Sequence, residues 1–126
     1  MKALLLVAHG SRRAESNAEV GRLADELRAR AGAEFGWVGH AFLELAEPTI
    51  PQGMEQAVAA GAEELLVLPY FLSAGRHVVK DIPEEVALGL GEQPQLRVSV
   101  APYLGAMPGV SDLLLGTALR LSGGVA

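Results

Sequence analysis

The sequence predicts an α/β fold, a three-layer sandwich in which a four-stranded parallel sheet is flanked by helices on both faces. Three observations predict it. Short apolar runs alternate four times with longer helix-like stretches, the pattern of a chain wound strand, helix, strand. The first of these runs is apolar at every position, as a strand covered on both faces is. The chain has 126 residues, half of them hydrophobic and a fifth charged, which suits a single domain over 1–126. No internal repeat, low-complexity tract or linker divides it.

Taken in order, Ala3-Leu4-Leu5-Leu6-Val7-Ala8 is the central strand. Ser16-Asn17-Ala18-Glu19 has a capping-box pattern, and Val20, Leu23 and Leu27 follow at helical spacing to a stop at Gly32. A second strand is expected from about Phe35 to Leu43. Thr49-Ile50-Pro51-Gln52 opens the second helix, with Met54, Ala57 and Val58 inward and Gly61 past its end. Leu65-Leu66-Val67-Leu68 is a third buried strand closed by Pro69. Asp81-Ile82-Pro83-Glu84 starts a third helix, with Asp81 as its cap and Val86 and Leu90 on one face. Leu96 to Val100 alternates apolar and polar, which suits a strand nearer the sheet edge. A last helix carries Leu114, Ala118 and Leu121 and ends at Gly123-Gly124.

Composition removes several function classes. With no cysteine, disulfides, thiolate metal sites, iron–sulfur clusters and cysteine nucleophiles are excluded together. A net charge of −5 argues against nucleic acid, whose phosphates need a basic face. Apolar runs such as Ala3–Ala8 fall far short of the roughly 20 residues that span a bilayer. Nor is that run a secretory signal, because His9-Gly10-Ser11-Arg12-Arg13 follows it without a cleavage site. The expectation is a cytoplasmic protein without membrane or nucleic-acid partners.

Ligands of open α/β sheets bind beyond the carboxyl ends of the strands. Here those ends carry His9-Gly10-Ser11-Arg12, then Glu44 and Glu47-Pro48, then Tyr70 through His77 with Lys80-Asp81. Two of the three histidines fall in these loops. Two imidazoles and a carboxylate make a nitrogen/oxygen site suited to cobalt, iron, nickel or zinc. The same groups exchange protons near neutral pH. Spacing alone leaves plainer readings open: Glu44 as a solvated strand end, Asp81 as a cap, Ser11 as a turn cap, the arginines as surface charge, and Phe71 and Leu72 as core. His40, inside the second strand, reads as structural.

The ordered set of motifs is more specific than any one of them. Val7-Ala8-His9-Gly10-Ser11-Arg12, Phe42-Leu43-Glu44-Leu45-Ala46-Glu47-Pro48, Leu68 through His77, Asp81-Ile82-Pro83 and Pro102-Tyr103-Leu104-Gly105 together resemble the small class II tetrapyrrole chelatases. The match is to the sirohydrochlorin chelatase group, the short cobaltochelatase (CbiX-type) proteins in particular. The resemblance implies insertion of a divalent metal into sirohydrochlorin, in cobalamin or sirohaem biosynthesis, without an organic cofactor. Co²⁺ is the first choice, with Fe²⁺ and Ni²⁺ as alternatives. It implies catalytic His9 and His77, metal ligation by His9, His77 and Glu44, and a homodimer with the tetrapyrrole near its junction. Ser11, Arg12, Arg76 and Lys80 are expected to meet the carboxylates of the substrate, and Phe71 and Leu72 its ring. Arg12, Arg13, Arg76 and Lys80 are four of only ten basic residues, so this loop charge offsets the acidity of the chain. Two readings of other classes stand beside it: a metal or tetrapyrrole carrier, and a phosphoryl-transfer or hydrolytic enzyme using His9.

Overall fold

The run Ala3–Ala8 is buried along its whole length at the centre of the sheet. This computed structural model describes residues 1–124. Its main elements are β1 (Lys2–Ala8), α1 (Ala14–Ala31), β2 (Trp37–Phe42), α2 (Ile50–Ala59), β3 (Glu64–Pro69), α3 (Ile82–Glu92), β4 (Arg97–Val100) and α4 (Gly109–Gly124). The four strands pair in parallel in the order β2-β1-β3-β4. The predicted fold class is the observed one. Among the described residues, no helix is long and apolar enough to cross a membrane.

Strand order decides which face each helix covers. The chain moves one way from β1 to β2, then the other way to β3 and β4. Right-handed crossovers place the two directions on opposite faces. Accordingly α1 packs on one face, where Val20 and Ala24 meet Leu6, Ala8 and Phe42. Helices α2 and α3 cover the other, where Ile50, Met54, Ile82 and Val86 meet Leu5, Val7 and Val67. Close packing of α2 on α3 requires Gly89, where a β-carbon would lie 2.3 Å from the Met54 sulfur.

Four expectations need correction. Ser16 does not cap α1, which starts at Ala14 after an uncapped Arg13. The Asn17 amide instead clamps the Ser11 backbone, accepting from its N–H and donating to its carbonyl, so the helix begins earlier than the capping pattern suggested. Asp81 does not cap α3 either. The Gly75 carbonyl already accepts from the N–H groups of Val78 and Val79, and a π-helical turn over His77–Asp81 runs straight into the helix. Finally, Leu114 and Leu121 do not face a core; both are exposed on α4. The second strand is also shorter than expected, because a 3₁₀ turn over Gly32–Glu34 precedes it.

The start of α2 is as predicted. Thr49 accepts from the Gln52 N–H through its hydroxyl, and the Gln52 side chain accepts from the Thr49 N–H. Thr49→Ala should therefore lower stability by about 1 kcal/mol. Urea denaturation followed by circular dichroism measures this, and an unchanged midpoint would show that the cap contributes nothing.

Candidate metal-binding active site

Three loops at the carboxyl edge of the sheet bring His9, Glu44 and His77 together. Beyond the ends of β1 and β2, Leu43 N–H donates to the Ala8 carbonyl at 2.9 Å and Glu44 N–H to the His9 carbonyl at 3.0 Å. These bonds extend the strand pairing by two residues and hold Glu44 beside His9. The chain escapes from this ladder at Gly10, with φ +97°, where a β-carbon would lie 1.8 Å from the Glu44 carbonyl oxygen. Only glycine fits there. Leu45, with φ 66°, is also in the left-handed region, so backbone strain sits next to the carboxylate. On the other side of β1, Tyr70 N–H donates to the Val7 carbonyl and starts the loop that delivers His77.

The donor atoms of His9, Glu44 and His77 lie within 4.8 Å of one another, and all three side chains are partly open to solvent. The two imidazoles meet edge to face, with ring centroids 4.5 Å apart. His9 Nδ1 is 3.0 Å from the Gly10 carbonyl oxygen, which can only accept, so Nδ1 carries the proton. That leaves the Nε2 lone pair directed at Glu44 Oε1, 2.9 Å away. A neutral imidazole nitrogen and a carboxylate oxygen face each other there, and either a proton or a cation between them relieves the opposition. His77 is arranged alike: Nδ1 is 2.8 Å from Asp81 Oδ2, leaving its Nε2 as the available nitrogen. Such orientation of a ligand imidazole by a carboxylate fixes its tautomer and the bearing of its ring.

His77 and Asp81, four residues apart, lie on one side of the π-helical turn, where their side chains meet. Sequence reading missed this role. The signal was present as His77 and Asp81 at i, i+4, but a cap and an interior partner look alike without the helix boundary. A recess of about 150 Å³, lined by Leu43, Glu44, Asp81, Glu84 and Glu85, opens beside the three donors.

The other predicted residues divide. Arg12 and Arg76 are exposed on either histidine loop and, among the described residues, join no salt bridge, so both are free to meet an anion. Lys80 already lies 3.9 Å from Glu84. The Ser11 hydroxyl oxygen accepts from the Arg13 N–H, capping the turn, and its own proton remains available to donate. Leu72 is 77 % exposed, and Leu45, Tyr70 and Val79 are exposed apolar side chains of the same loops. Phe71 follows the plainer of its two readings. It packs against the core between the sheet and helices α2 and α3, because it points inward where Leu72 points out. His40 is structural, as expected: it stands edge to face with Phe42 at 5.4 Å, and burial lowers its pKa below 6.5 against the opposing pull of Asp25.

If Asp81 orients His77, Asp81→Ala should weaken Co²⁺ binding by roughly 10- to 100-fold while the fold is retained. Calorimetric titration with Co²⁺, alongside near-ultraviolet circular dichroism, measures both. Unchanged affinity in a folded variant would remove Asp81 from the site.

Known proteins resemble this chain in both sequence and fold. The family model described as CbiX matches residues 3–119. The sirohydrochlorin cobaltochelatase of Methanococcus maripaludis is 39% identical over 92 residues, covering 73% of this chain and 62% of that protein. The sirohydrochlorin ferrochelatase of Bacillus subtilis is 34% identical over 104 residues, covering 82% of this chain and 39% of that protein. Among solved structures, the sirohydrochlorin chelatase SirB from Bacillus subtilis subspecies spizizenii, in complex with cobalt, superposes with a TM-score of 0.81 at 32% identity, over 94% of this chain and 50% of that one. The chain thus spans about 60% of the cobaltochelatase it matches and half of the SirB chain. With the family model running from the first strand into the last helix, and the fold shared with a cobalt-bound relative, the chain belongs to the CbiX family of chelatases.

Proposed function

We propose that the protein inserts a divalent metal, Co²⁺ in the first instance, into sirohydrochlorin. The observation that carries this reading is the convergence of His9, Glu44 and His77 at an open, apolar-rimmed edge of the sheet. The relatives support the substrate: cobaltochelatases and ferrochelatases in the family are both named for sirohydrochlorin. Fe²⁺ and Ni²⁺ suit the same donors and are the alternatives for the metal.

Insertion exchanges two pyrrole N–H protons for one divalent cation, with no redox or group-transfer step. The ion rests first on His9 Nε2, His77 Nε2 and Glu44. Three donors hold it less firmly than a closed tetrahedral cage, which suits a metal that must be surrendered. A metal-bound nitrogen cannot also be a base. As the ion passes to the macrocycle, however, the same lone pairs are released and accept the departing protons. Because His9 and His77 each keep Nδ1 engaged, both present Nε2 throughout the exchange. Leu45, Tyr70, Leu72 and Val79 supply apolar area for the ring, while Arg12 and Arg76 meet its carboxylates as planar guanidinium forks. A tetrapyrrole is too broad for one half-open edge, and we infer that a homodimer encloses it.

Anaerobic absorbance spectroscopy of sirohydrochlorin with Co²⁺, Fe²⁺ and Ni²⁺ in turn tests the proposal. Multiple turnovers are expected with at least one metal, and His9→Ala and His77→Ala should each lower the rate by about 100-fold or more. A spectral change that stops at one equivalent per site would make the protein a carrier instead. No change above the metal-only background would refute both.

A further inference from the structure

Each metal-facing imidazole takes its bearing from whatever holds its Nδ1. For His77 that partner is a side chain, Asp81. For His9 it is the carbonyl of Gly10, 3.0 Å away. This carbonyl belongs to the peptide group that joins Gly10 to Ser11, and the group follows a glycine with φ +97°. Glycine has the freest backbone of any residue, so a peptide plane beside one turns easily. Turning would carry the carbonyl away from His9. The opposite side of the same plane carries the Ser11 N–H, which donates to Asn17 Oδ1 at 3.0 Å. A trans peptide unit is planar, so its N–H and C=O point in opposite directions and cannot rotate separately. Holding the N–H therefore aims the carbonyl. Asn17 is itself well seated. It is half-buried in the first turns of α1, three residues before the buried Val20 and on the same side of the helix. Its Nδ2 also donates to the Ser11 carbonyl at 2.8 Å, so the amide grips the loop at two points.

We propose that Asn17 is the positioning residue of His9, acting through the Gly10–Ser11 peptide group to keep the imidazole proton on Nδ1. This rests on His9 as a metal donor in the function proposed above. One hydrogen bond runs from the Ser11 N–H to Asn17 Oδ1, the other from His9 Nδ1 to the Gly10 carbonyl. Hydrogen bonds at the two ends of one amide polarise it and reinforce each other. The need for the device comes from Glu44, whose Oε1 lies 2.9 Å from His9 Nε2. A carboxylate only accepts. Were Nδ1 left without a partner, the proton of a neutral ring would sit on Nε2 and bond to Glu44. Two of the three metal donors would then be tied to each other, and the lone pair that must meet the metal would be gone. Anchoring the proton on the far nitrogen prevents that closure. Asn17 thus does for His9, at one remove, what Asp81 does for His77.

Nitrogen–proton correlation spectra of isotopically labelled histidine report which ring nitrogen carries the proton, and the chain has only three histidines to assign. In alkaline buffer, where free imidazole is neutral, His9 and His77 of the unaltered protein should both hold their proton on Nδ1. Asn17→Ala should move the His9 proton to Nε2 and leave His77 as it was. Asp81→Ala should release His77 and leave His9 as it was. Asn17→Asp keeps the shape of the side chain and an oxygen for the Ser11 N–H, so the His9 proton should stay on Nδ1. Calorimetric titration should show Co²⁺ binding weakened roughly tenfold by Asn17→Ala. A His9 proton found on Nε2 in the unaltered protein, or one indifferent to Asn17→Ala, would overturn the proposal. So would a change at both histidines in Asn17→Ala, which would mark a general loss of loop structure, or an Asn17→Asp variant that behaves like Asn17→Ala. No tetrapyrrole enters these measurements. A folded, unaltered protein that bound no Co²⁺ would bring down the metal reading and the proposal together, whereas the failures named before it would leave the chelatase standing.

Discussion

The short hydrogen-bonded extension of the β1–β2 ladder, from Leu43 and Glu44 onto the carbonyls of Ala8 and His9, is the constraint on which the site depends. Without it, a glutamate after one strand and a histidine after another would be two solvated loop ends. With it, both backbones are locked in register, and their side chains can only emerge side by side. Gly10 is the other half of the same device. It lets the chain turn away against the Glu44 carbonyl, so His9 is the last residue held by the ladder and the first free to do chemistry.

On the far side of β1 the logic differs. His77 comes from a loop and a π-helical turn rather than from a strand end, so it depends on Asp81 for its bearing. One imidazole is therefore positioned by backbone and the other by a side chain. The site combines a rigid half with an adjustable half, an arrangement suited to a metal that must be received from water and given up to a broad planar ligand.

Much of the fold was legible because its signals are local. The unbroken apolar run at β1, the Thr49–Gln52 box and the alternation at β4 each report a nearby physical requirement, and each is found where predicted. The errors arose where a local pattern had a distant competitor. Ser16 lost its cap role to the clamp between Asn17 and Ser11. Asp81 lost its own because Gly75 nucleates the helix earlier. Phe71 kept two readings open, since a strand-end loop does not reveal which of two adjacent apolar residues turns inward. The leucines of α4 carry helical spacing but no statement of what they pack against. The trio His9, Glu44 and His77 was named only with the help of family resemblance, because residues joined by tertiary structure leave no spacing signature in one sequence.

Collecting donors from beyond three different strands also couples metal to stability. An ion held by His9, Glu44 and His77 bridges segments that the denatured chain keeps far apart, so it binds the native state and not the unfolded one. At an ion concentration 100 times the dissociation constant, such linkage adds about 2.7 kcal/mol to unfolding. A resident structural metal would exploit that gain. A metal in transit must forgo it, because every increment of native-state stabilisation by the ion is an equal increment in the work of transferring it to another ligand. The apolar core around β1 must therefore make the fold self-sufficient, leaving the trio free to be weak.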